Sequence, residues 1–203
     1  MYKRNALKII ATGALWVGAA GLLSACAEKK PEFKAVDITG ADYAKDFQLT
    51  DQNSQVRSMK DFAGKVVVLF FGFTQCPDVC PTTMSELVEV RKALGADGER
   101  VQAVFVTVDP ERDTPEVLKA YMTNFDPTFL ALSGTPEQIA AVAKDFKIYF
   151  KKVDGKTPTS YTMDHSAGSY VYDTAGRLRV YNRYGSGAQA LGADVRALLQ
   201  EAG

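Results

Sequence analysis

Histidine and tryptophan each occur once in this 203-residue chain, and cysteine only three times. Three cysteines are too few for a disulfide-stapled small fold, and a chain of this length buries one core without staples. Neither sign of charge is in excess: Lys plus Arg and Asp plus Glu number 24 each, so nothing points toward nucleic acid. No Gly-x-Gly-x-x-Gly follows an apolar run and no P-loop occurs, which removes the commonest phosphate-binding devices. With 46% hydrophobic, 24% charged and 10% aromatic residues, the chain is neither disordered nor a multi-span membrane protein. One globular domain is expected.

Acidic residues are also missing from the start of the chain. None precedes Glu28, while Lys3, Arg4 and Lys8 make the beginning basic. From Ile9 to Ala27 no residue is charged, and Ala, Gly and Leu dominate. A basic start, an apolar run and then small residues describe a secretory signal. The run closes on Leu23-Ser24-Ala25-Cys26, which resembles the lipobox of bacterial lipoproteins. Residues 1–25 are therefore expected to be a signal, and Cys26 to carry lipid. The competing reading is an uncleaved membrane helix, since so long an uncharged run nearly spans a bilayer. Both place the remaining chain outside the bacterial cytoplasm, tethered to a membrane, with its soluble domain in the periplasm. Residues 26–44 then read as the lipidated cysteine and a polar tether, and 45–203 as the domain.

That domain keeps two cysteines, Cys76 and Cys80, four apart. In an oxidising compartment such a pair is the natural candidate for chemistry.

Along the domain, strands alternate with helices. Phe47–Val56 reads as a hairpin turning at Asp51-Gln52-Asn53-Ser54, and Ser58-Met59-Lys60-Asp61 as a capped helical turn ending near Gly64. Lys65–Phe71 and Val101–Val108 are continuous apolar runs, as expected of strands buried on both faces. Pro81 predicts the opening of a helix that Met84, Leu87, Val88 and Leu94 line on one face. Thr114-Pro115-Glu116 and Thr135-Pro136-Glu137 each supply an N-cap, a first-turn proline and a first-turn acid. Leu118, Tyr121, Met122 and Phe125 line the first of these helices; Ile139, Val142, Ala143 and Phe146 line the second. Ile148–Val153 reads as a strand and Gly155–Met163 as a polar loop. A hairpin over Ser169–Tyr172 and Leu178–Asn182, then an amphipathic helix from about Ala188 to Glu201, close the chain. The class is α/β: a central mixed sheet flanked by helices with an added hairpin, in an order resembling thioredoxin-like proteins.

Cys76 and Cys80 follow directly from the C-terminal end of the first buried strand, where open α/β sheets place their sites. The proline after Cys80 disfavours a helical Cys80 and predicts that it sits at the cap. There the positive helix end favours thiolate, the form that both metal binding and disulfide exchange require. One helical turn would separate the two Cα atoms by ~6 Å, inside the disulfide window and equally suited to two thiolates on one metal. Spacing leaves metal and redox both open. His165, the only histidine, ends a polar stretch just before an apolar strand and can therefore reach the sheet's rim. Two thiolates and an imidazole form a soft donor set that suits Cu(I) and also accepts Cu(II); a structural zinc site would want a fourth ligand. Asp164 is a candidate to orient the histidine ring, although a neighbour on extended chain points the other way. Asp78, between the cysteines, is a candidate to modulate thiol acidity, or a solvated loop acid.

Together, Gly72-Phe73-Thr74 with Cys76-Pro-Asp-Val-Cys80-Pro81, then Val108-Asp109-Pro110-Glu111-Arg112-Asp113-Thr114-Pro115, then Asp164-His165-Ser166, resemble the SCO/SenC copper proteins. The resemblance runs in the family's order from about Ile38 to the C-terminus, and its cysteine element is highly specific. It implies a thioredoxin-like fold, copper bound by Cys76, Cys80 and His165, and membrane tethering on the periplasmic side. It also implies a role in building the dinuclear copper (CuA) centre of cytochrome c oxidase subunit II, with a periplasmic copper donor upstream. A metallochaperone is the expected function. The alternative is a thiol–disulfide reductase that keeps the oxidase's copper-site cysteines reduced, with Cys76 and Cys80 as its redox-active pair. The Asp109–Pro115 element itself reads as a strand exit plus a helix cap.

Overall fold

The computed structural model describes residues 31–157 and 160–201. The expected signal over residues 1–25 and the expected lipid-bearing Cys26 lie outside them. In chain order the described elements begin with three short strands, β1 (Val36–Asp37), β2 (Leu49–Asp51) and β3 (Val56–Arg57). A 3₁₀ turn, Met59–Phe62, follows, and Ser58 and Asp61 close it as a capping box. Then come β4 (Val66–Gly72), α1 (Val79–Leu94), β5 (Val101–Thr107), α2 (Pro115–Thr123), β6 (Leu130–Ser133) and α3 (Pro136–Asp145). The chain closes with β7 (Phe150–Asp154), β8 (Tyr161–His165), β9 (Ser169–Tyr172), β10 (Leu178–Asn182) and α4 (Gly187–Gln200).

Eight strands form one mixed sheet in the order β1-β10-β9-β4-β5-β6-β2-β3. β4, β5 and β6 run parallel, and the remaining pairings are antiparallel. Every residue of β4 and β5 is buried, which is why these runs show no alternation: helices cover both faces. Phe70, Phe71 and Phe105 are fully buried there. Each such side chain contributes about 1.5–3 kcal/mol relative to exposure. α1 and α4 pack on each other, and α2 packs against β6. Thr114 caps α2 by accepting from the Val117 N–H at 3.3 Å, and Thr135 caps α3 within a capping box. This is the thioredoxin-like α/β arrangement that the sequence predicts.

Four features depart from the sequence expectation. β6 carries no sequence signal beyond four mostly apolar residues, yet it fills the place beside β5. α1 starts at Val79 with Asp78 as its N-cap, two residues before Pro81. A proline in the first turn removes only an N–H that has no intrahelical partner, so the helix forms through it and Cys80 lies inside the first turn. Part of the expected tether is built into the sheet: β1 pairs with β10, and the Lys34 and Ala35 N–H groups donate to the buried Asp194 carboxylate at 2.6 and 2.9 Å. Lastly, the predicted polar loop over Gly155–Met163 contains most of β8, which pairs with β7 in a separate two-stranded ribbon. Nearly every residue of that ribbon meets solvent, so the apolar alternation that marks a strand is missing.

Candidate metal centre

The site is assembled at the C-terminal ends of β4 and β5, with one further arm supplied by the ribbon. At the last residue of β4 the chain needs glycine. A Cβ added to Gly72 would stand 2.7 Å from the Phe105 ring, 2.8 Å from Cys80 Sγ and 2.9 Å from the Phe70 ring. With no Cβ there, Cys80 lies against the end of the strand, fully buried. Beyond Gly72 the backbone tightens into a turn in which the Cys76 N–H donates to the Phe73 carbonyl at 3.2 Å. Cys76 is left half-exposed at the rim, and both cysteines are free thiols.

His165 arrives from the other direction, as the last residue of β8. It faces Phe150 of β7 in the ribbon register, and the Ser166 N–H donates to the Tyr149 carbonyl at 2.9 Å just beyond it. The imidazole wedges edge-on against two phenyl rings, Phe70 at 6.0 Å and Phe73 at 5.8 Å between centroids. Its Nδ1 lies 2.9 Å from the Ser166 carbonyl and its Nε2 lies 3.5 Å from Cys80 Sγ. A carbonyl only accepts, so Nδ1 carries the proton and Nε2 presents its lone pair to the thiols. One ligand atom from each of Cys76, Cys80 and His165 lies within 4.8 Å of the others.

Burial governs the charge states. It drives the Cys80 thiol well above its usual range, more strongly than a backbone contact from Phe73 pulls it down; the neighbouring Cys76 and the Asp113 charge push the same way. The sequence expectation of a thiolate at a helix end is corrected here: desolvation outweighs the helix end, and the metal-free Cys80 is a neutral thiol. Burial also lowers the His165 pKa below its ordinary 6.5, against the raising pull of the Ser166 carbonyl and Asp164. The imidazole is therefore neutral near pH 7. A metal would have to displace one proton from Cys80 and none from the ring.

The two acids proposed as modulators sit elsewhere. Asp164 lies on the solvent side of β8, across from Lys151, because alternation along the strand turns it away from His165. The ring's Nδ1 takes the Ser166 carbonyl instead, and Asp164 acts on His165 only as a nearby charge. Asp78 is exposed at the start of α1, its carboxylate accepting from the Thr82 hydroxyl at 3.4 Å.

The sequence reading missed a group of side chains that holds the site. Asp113, almost fully buried, accepts from the Thr74 N–H at 3.1 Å, the Thr74 hydroxyl at 2.5 Å and the Thr107 hydroxyl at 2.6 Å. It thereby fixes the turn that leads to Cys76. Arg112 donates to Asp109, to Gln75 and to the Tyr161 carbonyl. Three acids and an arginine, Asp109, Glu111, Asp113 and Arg112, just after a buried strand, at the end of the sheet that holds the cysteines, were the available signal.

Soft sulfur donors plus one imidazole suit copper in either oxidation state, and three donors at an open rim leave room for a fourth group. The chain is similar to known proteins, some of them solved with copper bound. The SCO1/SenC family model matches residues 36–200. An SCO2-like protein of Rickettsia felis is 36% identical over an alignment of 179 residues that covers 85% of this chain and 87% of that one. A solved Bradyrhizobium japonicum ScoI with copper bound is 44% identical with a TM-score of 0.69, covering 76% of this chain and 98% of its own. A SCO1/SenC family lipoprotein from Bacillus anthracis is 29% identical with a TM-score of 0.64, covering 75% and 92%. With the family match spanning nearly all of the described chain and the thioredoxin-like architecture shared, this protein belongs to the SCO1/SenC family.

Proposed function

We propose that the chain is a copper metallochaperone that carries one Cu(I) or Cu(II) on Cys76, Cys80 and His165 and delivers it to the CuA centre of cytochrome c oxidase subunit II. The observation that carries this reading is the convergence of two thiols and an Nε2 lone pair within 4.8 Å at an accessible rim. Copper is the cargo. Cys80 is sealed in the core and Cys76 stands half-exposed, so an incoming acceptor thiolate replaces Cys76 first, thiolate for thiolate. The membrane tether supports the same role, because delivery to a membrane enzyme is faster from a carrier held at the same surface. Among the described residues no helix is long and apolar enough to cross a membrane. On this reading the tether lies before the described residues, as a lipid on Cys26 or an uncleaved helix over the apolar run.

The test is transfer. Copper-loaded protein is mixed with a reduced, metal-free soluble fragment of subunit II, and the CuA absorption is followed. Its appearance, and its loss with a His165→Ala donor, is the expected result; no transfer from a fully loaded donor would contradict the chaperone role.

The asymmetry of the thiols favours one second reading, a thiol–disulfide reductase. An accessible Cys76 can attack a target disulfide, and Cys80 can then release the target by closing a disulfide with Cys76. Incubating the reduced, metal-free protein with the oxidised subunit II fragment distinguishes the two. Reduction of the fragment, matched by oxidation of Cys76 and Cys80, marks the reductase.

A further inference from the structure

The sequence reads Asp109–Pro115 as a strand exit and helix cap, and Thr114 does cap α2. Asp109, Glu111 and Arg112, before it, do something else. The ribbon carrying His165 is not hydrogen-bonded to the main sheet, and a two-stranded ribbon alone is marginal in water. Something must hold it at a set distance from the cysteines.

We propose that Arg112 is the positioning residue that fixes His165 relative to the cysteine pair, by joining the ribbon to the turn before Cys76. Its Nη1 donates both to Gln75 Oε1 at 3.0 Å, next to Cys76, and to the Tyr161 carbonyl at 2.9 Å, at the start of β8. The guanidinium carbon stands over the Tyr161 ring, 3.5 Å from its centroid. Asp109 closes the triangle: it accepts from Arg112 Nε at 2.5 Å and from the Tyr161 hydroxyl at 2.8 Å. On its inner side Arg112 stands 6.0 Å from the centroid of Phe73, the ring against which His165 is wedged. Lys152 adds a second, exposed tie to Glu111 at 3.0 Å. Phe73 touches His165 only by ring contact, whereas Arg112 hydrogen-bonds to both arms of the site.

Arginine is required for this task. Its planar fork presents donors in fixed directions while its face stacks on an aromatic ring, and a lysine offers neither. The consequence is a bias between oxidation states. Two thiolates satisfy Cu(I) by themselves, whereas Cu(II) leans on the imidazole. A ribbon released from Arg112 carries His165 away and weakens Cu(II) binding while leaving Cu(I) binding in place.

This inference rests on the copper reading above, so its test has an arm that needs no metal. In the metal-free protein, contact between the Phe73 and His165 rings is followed by NMR, together with amide exchange across 161–165 and 66–72. Arg112→Lys is expected to lose the ring contact and to speed exchange in the ribbon alone, with β4 unchanged. In the metal arm, Cu(II) affinity should fall about 10–100-fold, the usual range for residues that orient a ligand, with Cu(I) affinity unchanged. Gln75→Ala, an exposed change that removes one anchor, should move both readouts in the same direction and serves if the lysine variant fails to fold. A retained Phe73–His165 contact, or equal losses of Cu(I) and Cu(II) affinity alongside general destabilisation, would overturn the proposal. If the unsubstituted protein binds no copper, the copper reading fails and the metal-free arm alone decides the role of Arg112.

Discussion

Cys80 Sγ and His165 Nε2 stand 3.5 Å apart although 85 positions separate them in the chain. Two structures with little else in common make the contact: the buried end of β4 and a solvent-washed ribbon. The ring's other nitrogen is committed to the Ser166 carbonyl, so the lone pair on this one is fixed in direction. Each consequence below follows from that arrangement.

Gly72 is the position where a single methyl group should abolish the site. Gly72→Ala would place a Cβ within 3 Å of two phenyl rings and Cys80 Sγ. Overpacking of this kind costs about 1–3 kcal/mol. A lower melting temperature and a loss of copper stoichiometry are expected together; full stoichiometry at unchanged stability would show that the strand end yields more easily than its packing implies.

The two thiols should react at very different rates. Cys76 is half-exposed, while Cys80 is completely buried and burial holds it as a thiol. Alkylation of the reduced, metal-free protein, followed by peptide mass spectrometry, should label Cys76 first and Cys80 only on unfolding. Equal rates would mean that Cys80 becomes exposed in the native protein.

His165 also predicts a pH dependence of stability. Burial lowers its folded pKa below the 6.5 of the free side chain. Between those two values the unfolded chain binds more protons than the folded one, so stability falls as pH drops through 6.5 toward the folded value. The metal-free melting temperature should decline over this window, and His165→Gln should flatten that part of the curve. An unchanged slope would show that the imidazole titrates alike in both states.

Much of this was legible in the chain. The β4 and β5 runs, the Thr-Pro-Glu starts of α2 and α3 and the β9–β10 hairpin carry local signals that tertiary packing only reinforces. Cys76, Cys80 and His165 stand out because their types are so scarce here. Of the ribbon, β7 was legible as the Ile148–Val153 strand, but β8 was not, because a strand that meets solvent at four of its five residues carries no apolar alternation; neither was β1, which pairs over two residues. Nor could the start of α1 be read, since a first-turn proline is compatible with more than one helix start. Arg112 and Asp113 were hidden for another reason. In one dimension they are charges before a cap; only the fold shows that one of them touches both arms of the site while the other is buried beneath the Cys76 turn.

Copper titration of the reduced protein beside His165→Ala tests the central claim most directly, read as stoichiometry and as thiolate-to-Cu(II) charge-transfer absorption. One copper per chain is predicted, with the Cu(II) absorption lost in the variant and Cu(I) still held by Cys76 and Cys80. Absence of tight copper binding, or Cu(II) binding indifferent to His165, would contradict the Cys76–Cys80–His165 centre and leave the dithiol reductase as the better account.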